Sequence, residues 1–313
     1  MDFIVEVETT WEDFVDQHPK PEQNKRFIYR GQLNGFNHKK EFERWPLISS
    51  FNREHNIGGL SFARFIGQHL NDAHFKRVYG KYEWVQDKGL VEMDLVNRLL
   101  YLQHYGISTC FLDFTYNPWK ALYFAIAPLR LPDISTSDAD GNRKEFGNAY
   151  FSIYKLNCDI LVNNLCVKEL KETTNEFYLN YHDSQHKCYM AGAHIALLHN
   201  DYVQKDGNKN IELQEGCFVL YDNWQTANAG RIGLELYLEQ LAKEKQLCLK
   251  EPFITIYNMK WDSVFKKRGN NQNDTQKDKG LFNFLKENSI TGEKLFTDHQ
   301  GLKNDLDFFY ESL

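Results

Sequence analysis

No apolar stretch in this chain is long enough to cross a bilayer. The longest, such as Ala121 to Leu129, fall far short of the roughly 20 residues that a spanning helix needs. The N-terminus, Met1-Asp2-Phe3-Ile4-Val5-Glu6, is acidic and lacks the basic and then apolar pattern of a secretory leader. CxxC pairs are absent. The six cysteines (110, 158, 166, 188, 217 and 248) are scattered, which in a chain of 313 residues predicts reduced thiols and a cytoplasmic setting, not a disulfide framework. There is no GxxxxGK, no GxGxxG after a strand, no GxSxG and no HExxH. These gaps argue against P-loop NTPases, Rossmann dehydrogenases, typical α/β-hydrolases and zincins. A basic excess is missing too: 37 basic against 43 acidic residues give a net charge of −6, a poor general clamp for nucleic acid.

What is present is ordinary globular composition with many aromatic rings, 15% of the chain, most of which must be core. Arg26 to Tyr29 is a short apolar run ending at Gly31, the pattern of a strand that stops at a turn. Helical spacing runs from Leu60 to Val78 and again from about Leu90 to Tyr105, where Gly106 stands in the place of a C-cap. Ile107 to Thr115 predicts a buried strand. Thr115 or Asn117 then caps a helix with Pro118 near its first position and Ala121-Leu122-Tyr123-Phe124-Ala125 within it.

Strands are expected at Ala149 to Lys155, Ile195 to Leu198, Glu212 to Tyr221 and Phe253 to Trp261, with a helix from Leu234 to Lys245. Pro132 to Lys144 and Gly269 to Lys279 are polar enough for surface loops. Strands and helices mix without regular alternation, so the expected class is α+β. One cluster has metal-like spacing, His182, His186 and Cys188 with His194 nearby. It is taken as incidental spacing of polar loop residues, and no metal is expected.

Four blocks stand in a telling order: Tyr29-Arg30-Gly31-Gln32; Trp45-Pro46-Leu47-Ile48-Ser49-Ser50-Phe51-Asn52-Arg53; Leu102-Gln103-His104-Tyr105-Gly106 through Leu112-Asp113-Phe114-Thr115-Tyr116-Asn117-Pro118 into Ala121 to Ala125; and Gln214-Glu215-Gly216-Cys217-Phe218, with Lys294-Leu295-Phe296-Thr297-Asp298 near the end. This pattern resembles the FRG-domain family, over roughly Phe27 to Leu306. Tyr29 replaces the eponymous Phe, Cys110 stands where the family usually has Arg, and Phe114 where it has Trp. More weakly, the order of Arg30, Ser108-Thr109 and Glu212 or Glu215 is similar to mono-ADP-ribosyltransferases.

The resemblance implies one domain over 1–313, with a core of about 26–261 and a C-terminal helical extension of about 280–313. It implies a mixed, mainly antiparallel sheet with flanking helices, of ADP-ribosyltransferase type. It also implies NAD as substrate, no metal, and a toxin of a toxin–antitoxin or phage-defence setting with a neutralising partner. Arg30 would grip the pyrophosphate, and Tyr29, Tyr105 or Tyr123 would stack on nicotinamide. Gly31, Ser108, Thr109 and Gln214 would complete the NAD site, and a carboxylate would stabilise charge building on the ribose. Glu212 is placed first for that role as the same-face neighbour of Gln214, with Glu215 as the alternative if a bulge turns it inward.

Plainer readings stand beside these. Arg30 could pair with Asp113 and fix two strands, His104 could serve a helix C-terminus as well as catalysis, and Asp113 could cap the Thr115–Pro118 turn. Tyr123 and its neighbours suit the core. The expected acceptor is single-stranded RNA, gripped by aromatic rings and by basic loops such as Lys266-Lys267-Arg268. The rival functions are a non-catalytic nucleotide- or RNA-binding module and a metal-independent ribonuclease using His104 and Arg30. No membrane partner is expected.

Overall fold

Near the N-terminus, the alternating residues of β1 (Ile4–Thr9) lead directly into α1 (Trp11–Gln17), whose first turn is closed by Thr10 accepting from the Asp13 amide at 3.1 Å. The computed structural model describes residues 2–19, 25–32, 46–54, 72–87, 89–104, 107–127, 150–170, 194–199, 209–222, 232–260, 264–267, 275–277 and 279–296. In chain order there follow β2 (Phe27–Gln32), α2 (Ser50–Glu54), α3 (Asp72–Val78), α4 (Glu83–Asp87), α5 (Leu95–His104), β3 (Phe111–Thr115) and α6 (Pro118–Ile126). Next are β4 (Tyr150–Asn157), α7 (Cys158–Asn163), β5 (Lys168–Leu170), β6 (His194–Leu198), α8 (Lys209–Leu213) and β7 (Gly216–Asp222). The last elements are α9 (Leu234–Glu244), β8 (Ile254–Lys260), the hairpin β9 (Phe265–Lys267) and β10 (Thr275–Lys277), α10 (Lys279–Glu287) and α11 (Gly292–Leu295).

Eight strands form one mixed sheet in the order β1-β8-β4-β2-β3-β7-β6-β5. β1 with β8 and β5 with β6 are parallel, and the other neighbours are antiparallel. Strand alternation assigns each face its own core. Tyr29, Phe151, Ile153 and Met259 pack under α6 and α10, and Phe111, Phe218 and Leu220 on the same face pack under α5. On the opposite face Ile28, Leu112, Tyr154, Cys217 and Ile256 pack against α7 and α9. The class is α+β with a mainly antiparallel sheet and flanking helices.

The join between β2 and β3 is unusual. β2 pairs with β4 along its whole length and β3 pairs with β7 along its whole length, yet β2 and β3 share a single register position, Tyr29 with Thr115. Beyond it the two strands part, and the sheet is split into halves that meet at one point.

Several expectations are corrected. Lys209–Leu213 is one helical turn and β7 begins at Gly216, so Glu212 sits on a helix and not on a strand beside Gln214. Ile211, Leu213 and Cys217 mimic a two-residue alternation, but the turn closes through Gln214 N–H to the Asn210 carbonyl and a left-handed Glu215 at φ 50°. β3 starts only at Phe111, because Thr109 is held by α2 instead of a strand partner; Cys110 lies between the two, its carbonyl accepting from the Tyr221 amide of β7 at 2.9 Å and its thiol beside Asn52 of α2. Lys266 and Lys267 lie in a strand and not a loop, and Thr275–Lys277 is its antiparallel partner. The helix expected over 60–78 is described only from Asp72. Tyr105, Gly106, His182, His186, Cys188, Arg268 and residues 128–149 and 297–313 lie outside the described residues.

Among the described residues no helix is long and apolar enough to cross a membrane. Cys110, Cys158, Cys166, Cys217 and Cys248 are free thiols. Burial pushes the Cys158 thiol up to about 12 and raises Cys217 well above its ordinary value, so neither is a ready nucleophile.

Candidate functional site

A cavity of about 600 Å³ lies at the parting of β2 and β3. That volume is in the range of about 300–1,000 Å³ common for small-molecule sites. Its strand walls are Tyr29 to Gln32 on one side and Asp113 to Thr115 with Gly216 and Phe218 on the other. Helices contribute Arg53 from α2, Leu100 and Gln103 from α5, Phe124 from α6 and Asn210 and Ile211 from α8. Gln214 and Phe296 close the remainder.

Gly31 has no side chain because the backbone of α6 crosses β2 there; a Cβ would overlap the Ala121 carbonyl oxygen and approach the Ala125 nitrogen to 2.6 Å. Tyr29 and Gly31 therefore face α6, and strand alternation sends Arg30 to the other side. There Arg30 Nη1 donates to the backbone carbonyl of Asp113 at 2.7 Å, across the gap where a ladder bond would otherwise stand. The Asp113 carboxylate is 3.9 Å from the same nitrogen, too long for a close ion pair. The Nε of Arg30 is buried with no hydrogen-bond partner among the described residues. Burial lowers the guanidinium pKa from its ordinary value, Asp113 raises it and Arg53 lowers it again. An arginine retains its charge through such a shift.

Asp113 is held by a directed chain of hydrogen bonds. The Phe111 amide donates to Thr109 Oγ1 at 3.2 Å, so the Thr109 hydroxyl donates onward to Gln103 Oε1. That fixes the Gln103 amide, whose Nε2 donates to Asp113 Oδ1 at 2.7 Å. Asp113 is thus an acceptor at the cavity wall and does not cap the following turn. The cap belongs to Asn117, whose Oδ1 accepts from the Trp119 and Lys120 amides at 3.0 and 3.3 Å, while Thr115 Oγ1 accepts the Asn117 amide at 3.0 Å.

The residues singled out from sequence divide cleanly. Tyr29, Arg30, Gly31 and Gln214 line the cavity, and Gln214 also donates to the Leu295 carbonyl at 3.1 Å. Glu212 and Glu215 do not line it. Glu212 is exposed on α8, and Glu215 Oε1 accepts from Lys120 Nζ at 2.5 Å and from Asn117 Nδ2 at 3.2 Å, tying α6 to the turn before β7. Thr109 is buried behind the wall, Ser108 precedes β3 outside the cavity, and Tyr123 is fully buried in the core under α6. His104 ends α5, Tyr105 lies outside the described residues, and the described residues hold no cluster of three His, Cys, Asp or Glu able to ligate a metal. Asp113 is the one carboxylate among the described residues of the lining. Sequence reasoning gave Gln32, Arg53, Asn210 and Phe296 no site role; only the position of Gln32 two residues after Arg30 could have marked it.

Comparison with curated proteins and with solved structures gives no match to the chain. The family model of the FRG domain matches residues 25–133. Arg30, Gln32, Arg53, Gln103, Asp113 and Phe124 all fall inside that stretch, so the matched segment supplies most of the polar wall as well as the helix that closes it. Residues 25–133 thus carry an FRG domain.

Proposed function

We propose that the cavity binds NAD and that the protein breaks its nicotinamide–ribose bond, passing the ADP-ribosyl group to a macromolecule. The observation that carries this reading is Arg30: a guanidinium set in the wall of the split sheet, with a buried donor unmatched, opposite the single carboxylate of the described lining. A pyrophosphate supplies the acceptors that such a donor lacks. When the glycosidic bond breaks, its electron pair leaves with nicotinamide, which departs neutral. Positive charge develops on the ribose, and the Asp113 carboxylate stabilises it. The acceptor nucleophile then bonds to the ribose carbon and gives up a proton. Phe114, Phe124 and Phe296 offer apolar surface to the two ring systems. Gln103 keeps Asp113 an acceptor throughout.

The position of the glutamates supports a second reading, a nucleotide-binding module without chemistry, since neither Glu212 nor Glu215 reaches the cavity lining. One experiment separates the two. The protein is incubated with adenylate-labelled NAD and cell extract while nicotinamide release, label transfer and NAD binding are followed. The transferase gives release and transfer that Asp113→Asn lowers by about a hundredfold or more, with NAD affinity largely kept, whereas Glu212→Gln and Glu215→Gln stay within about threefold. Binding without release establishes the module, and absence of binding overturns both. Label removed by RNase marks RNA as the acceptor, label removed only by protease marks a protein, and RNA cleavage without NAD marks a nuclease.

A further inference from the structure

We infer that Gln32 and Arg53 join Arg30 to form a phosphoryl-binding subsite in this cavity. The inference deepens the reading above, resting on the cavity being a ligand site and not on the ligand being NAD.

Arg30 and Gln32 are two residues apart on β2 and point to one face, while Tyr29 and Gly31 between and before them are committed to α6. Gln32 is 8% exposed, lines the cavity, and its Nε2 has no hydrogen-bond partner among the described residues. Arg30 Nε is in the same condition. Two buried N–H donors from one strand face, both unmatched, are rare in a folded protein unless something else supplies the acceptors.

Arg53 is brought to the same cavity by a separate device. α2 is pinned to the segment before β3: the Phe51 amide donates to the Thr109 carbonyl at 3.1 Å, and the Thr109 amide donates to Ser50 Oγ at 3.2 Å. Asn52 Nδ2 reaches the Tyr221 carbonyl at 3.2 Å. With three consecutive residues anchored, the next side chain, Arg53, lines the cavity. Two guanidiniums then share a space in which the described lining holds one carboxylate, so the wall is positive within an acidic protein. The mutual repulsion of Arg53 and Arg30 contributes to lowering the Arg30 pKa, and an anion between them relieves it.

The geometry selects the chemical class. A planar carboxylate is satisfied by one guanidinium fork. Donors carried to one cavity by a strand and by a helix on a separate segment suit an anion with oxygens in several directions, which is a phosphoryl group in a diester or a pyrophosphate.

The test is calorimetric titration of inorganic pyrophosphate and of acetate into the full chain and into Arg53→Gln and Gln32→Met, with melting temperatures taken alongside. Each variant is expected to weaken pyrophosphate by about tenfold or more, and acetate is expected to bind far more weakly than pyrophosphate to the unaltered chain. Gln32→Met, which replaces an unmatched buried amide by an apolar chain of similar size, is expected to raise the melting temperature or leave it unchanged. Affinity within about twofold of the unaltered protein in both variants overturns the subsite, as does acetate binding equal to pyrophosphate. A fall in melting temperature of Gln32→Met also counts against it, since it would show the amide to be matched within the fold. Pyrophosphate binding without NAD binding leaves the subsite standing and removes the NAD reading. NAD binding that neither variant weakens does the reverse.

Discussion

At Gly31 the backbone of α6 occupies the volume that any side chain would need, and the obstructing atoms are main-chain atoms that cannot rotate away. Gly31→Ala is expected to destabilise the protein by about 3 kcal/mol, read from urea denaturation, and to weaken ligand binding as α6 and Phe124 shift. His18 gives a pH dependence of known sign. It is buried, with Nδ1 2.8 Å from the Phe14 carbonyl and Nε2 3.4 Å from Lys155 Nζ, and burial pushes its pKa down to about 4. The unfolded chain, with an ordinary histidine value of 6.5, binds the proton first. Stability is therefore highest above that value and falls as pH drops toward 4. Between pH 7 and pH 5 this one residue is expected to withdraw about 2 kcal/mol. His18→Gln, unfolded in urea at both pH values, should show a difference smaller by about that amount; an unchanged difference would place the titration elsewhere.

Among the elements, α6 does the most to shape the cavity, since it presses on Gly31, presents Phe124 and is tied by Lys120 and Asn117 to Glu215. Asn117→Ala removes the cap of its first turn and the bond to Glu215. A loss of about 1–2 kcal/mol is expected from thermal or urea melts, with a parallel loss of binding because the helix seats the strand end. This helix was legible in advance because Asn117 and Pro118 are local signals that act within one turn. So was the strand that stops near Gly31, and so were the apolar runs of β4, β7 and β8. α8 was not legible: Ile211 and Leu213 alternate as a strand would, and the helical choice is settled by the turn at Glu215 and the salt link to Lys120 on another element. The same limit applied to the site. Asp113 looked like a capping residue from its neighbours, and its place beside Gln103 and Arg30 depends on pairings between distant segments. Arg53 closes the block from Trp45 with no local sign of a role, because nothing near it in sequence shows that α2 is pinned to Thr109.

For the whole molecule, the decisive feature is a sheet whose halves, among the described residues, share one register position, Tyr29 with Thr115, and are bridged next to it by the Arg30 side chain. A ligand seated in the gap adds contacts to both halves. At about one hundred times its dissociation constant it is expected to stabilise the fold by about 2.7 kcal/mol, read as a rise in melting temperature. Amide exchange should slow at 30–32 and 111–114 and stay unchanged along β1 and β8. Uniform slowing over the sheet would argue against binding in the gap. The two halves also differ in when a growing chain can complete them. β3, β7, β6 and β5 are all available once Asp222 has been made, whereas the half bearing Arg30 needs β8, placed between β1 and β4, and so waits for Lys260. Phe296, part of the cavity lining, comes later still. Closing a contact between Ile4 and Ile254 is slow because the intervening chain must first be ordered. During synthesis the Asp113 side of the cleft can therefore form while the Arg30 side is unfinished, and a ribosome that stalls before β8 releases a fragment with half a binding site.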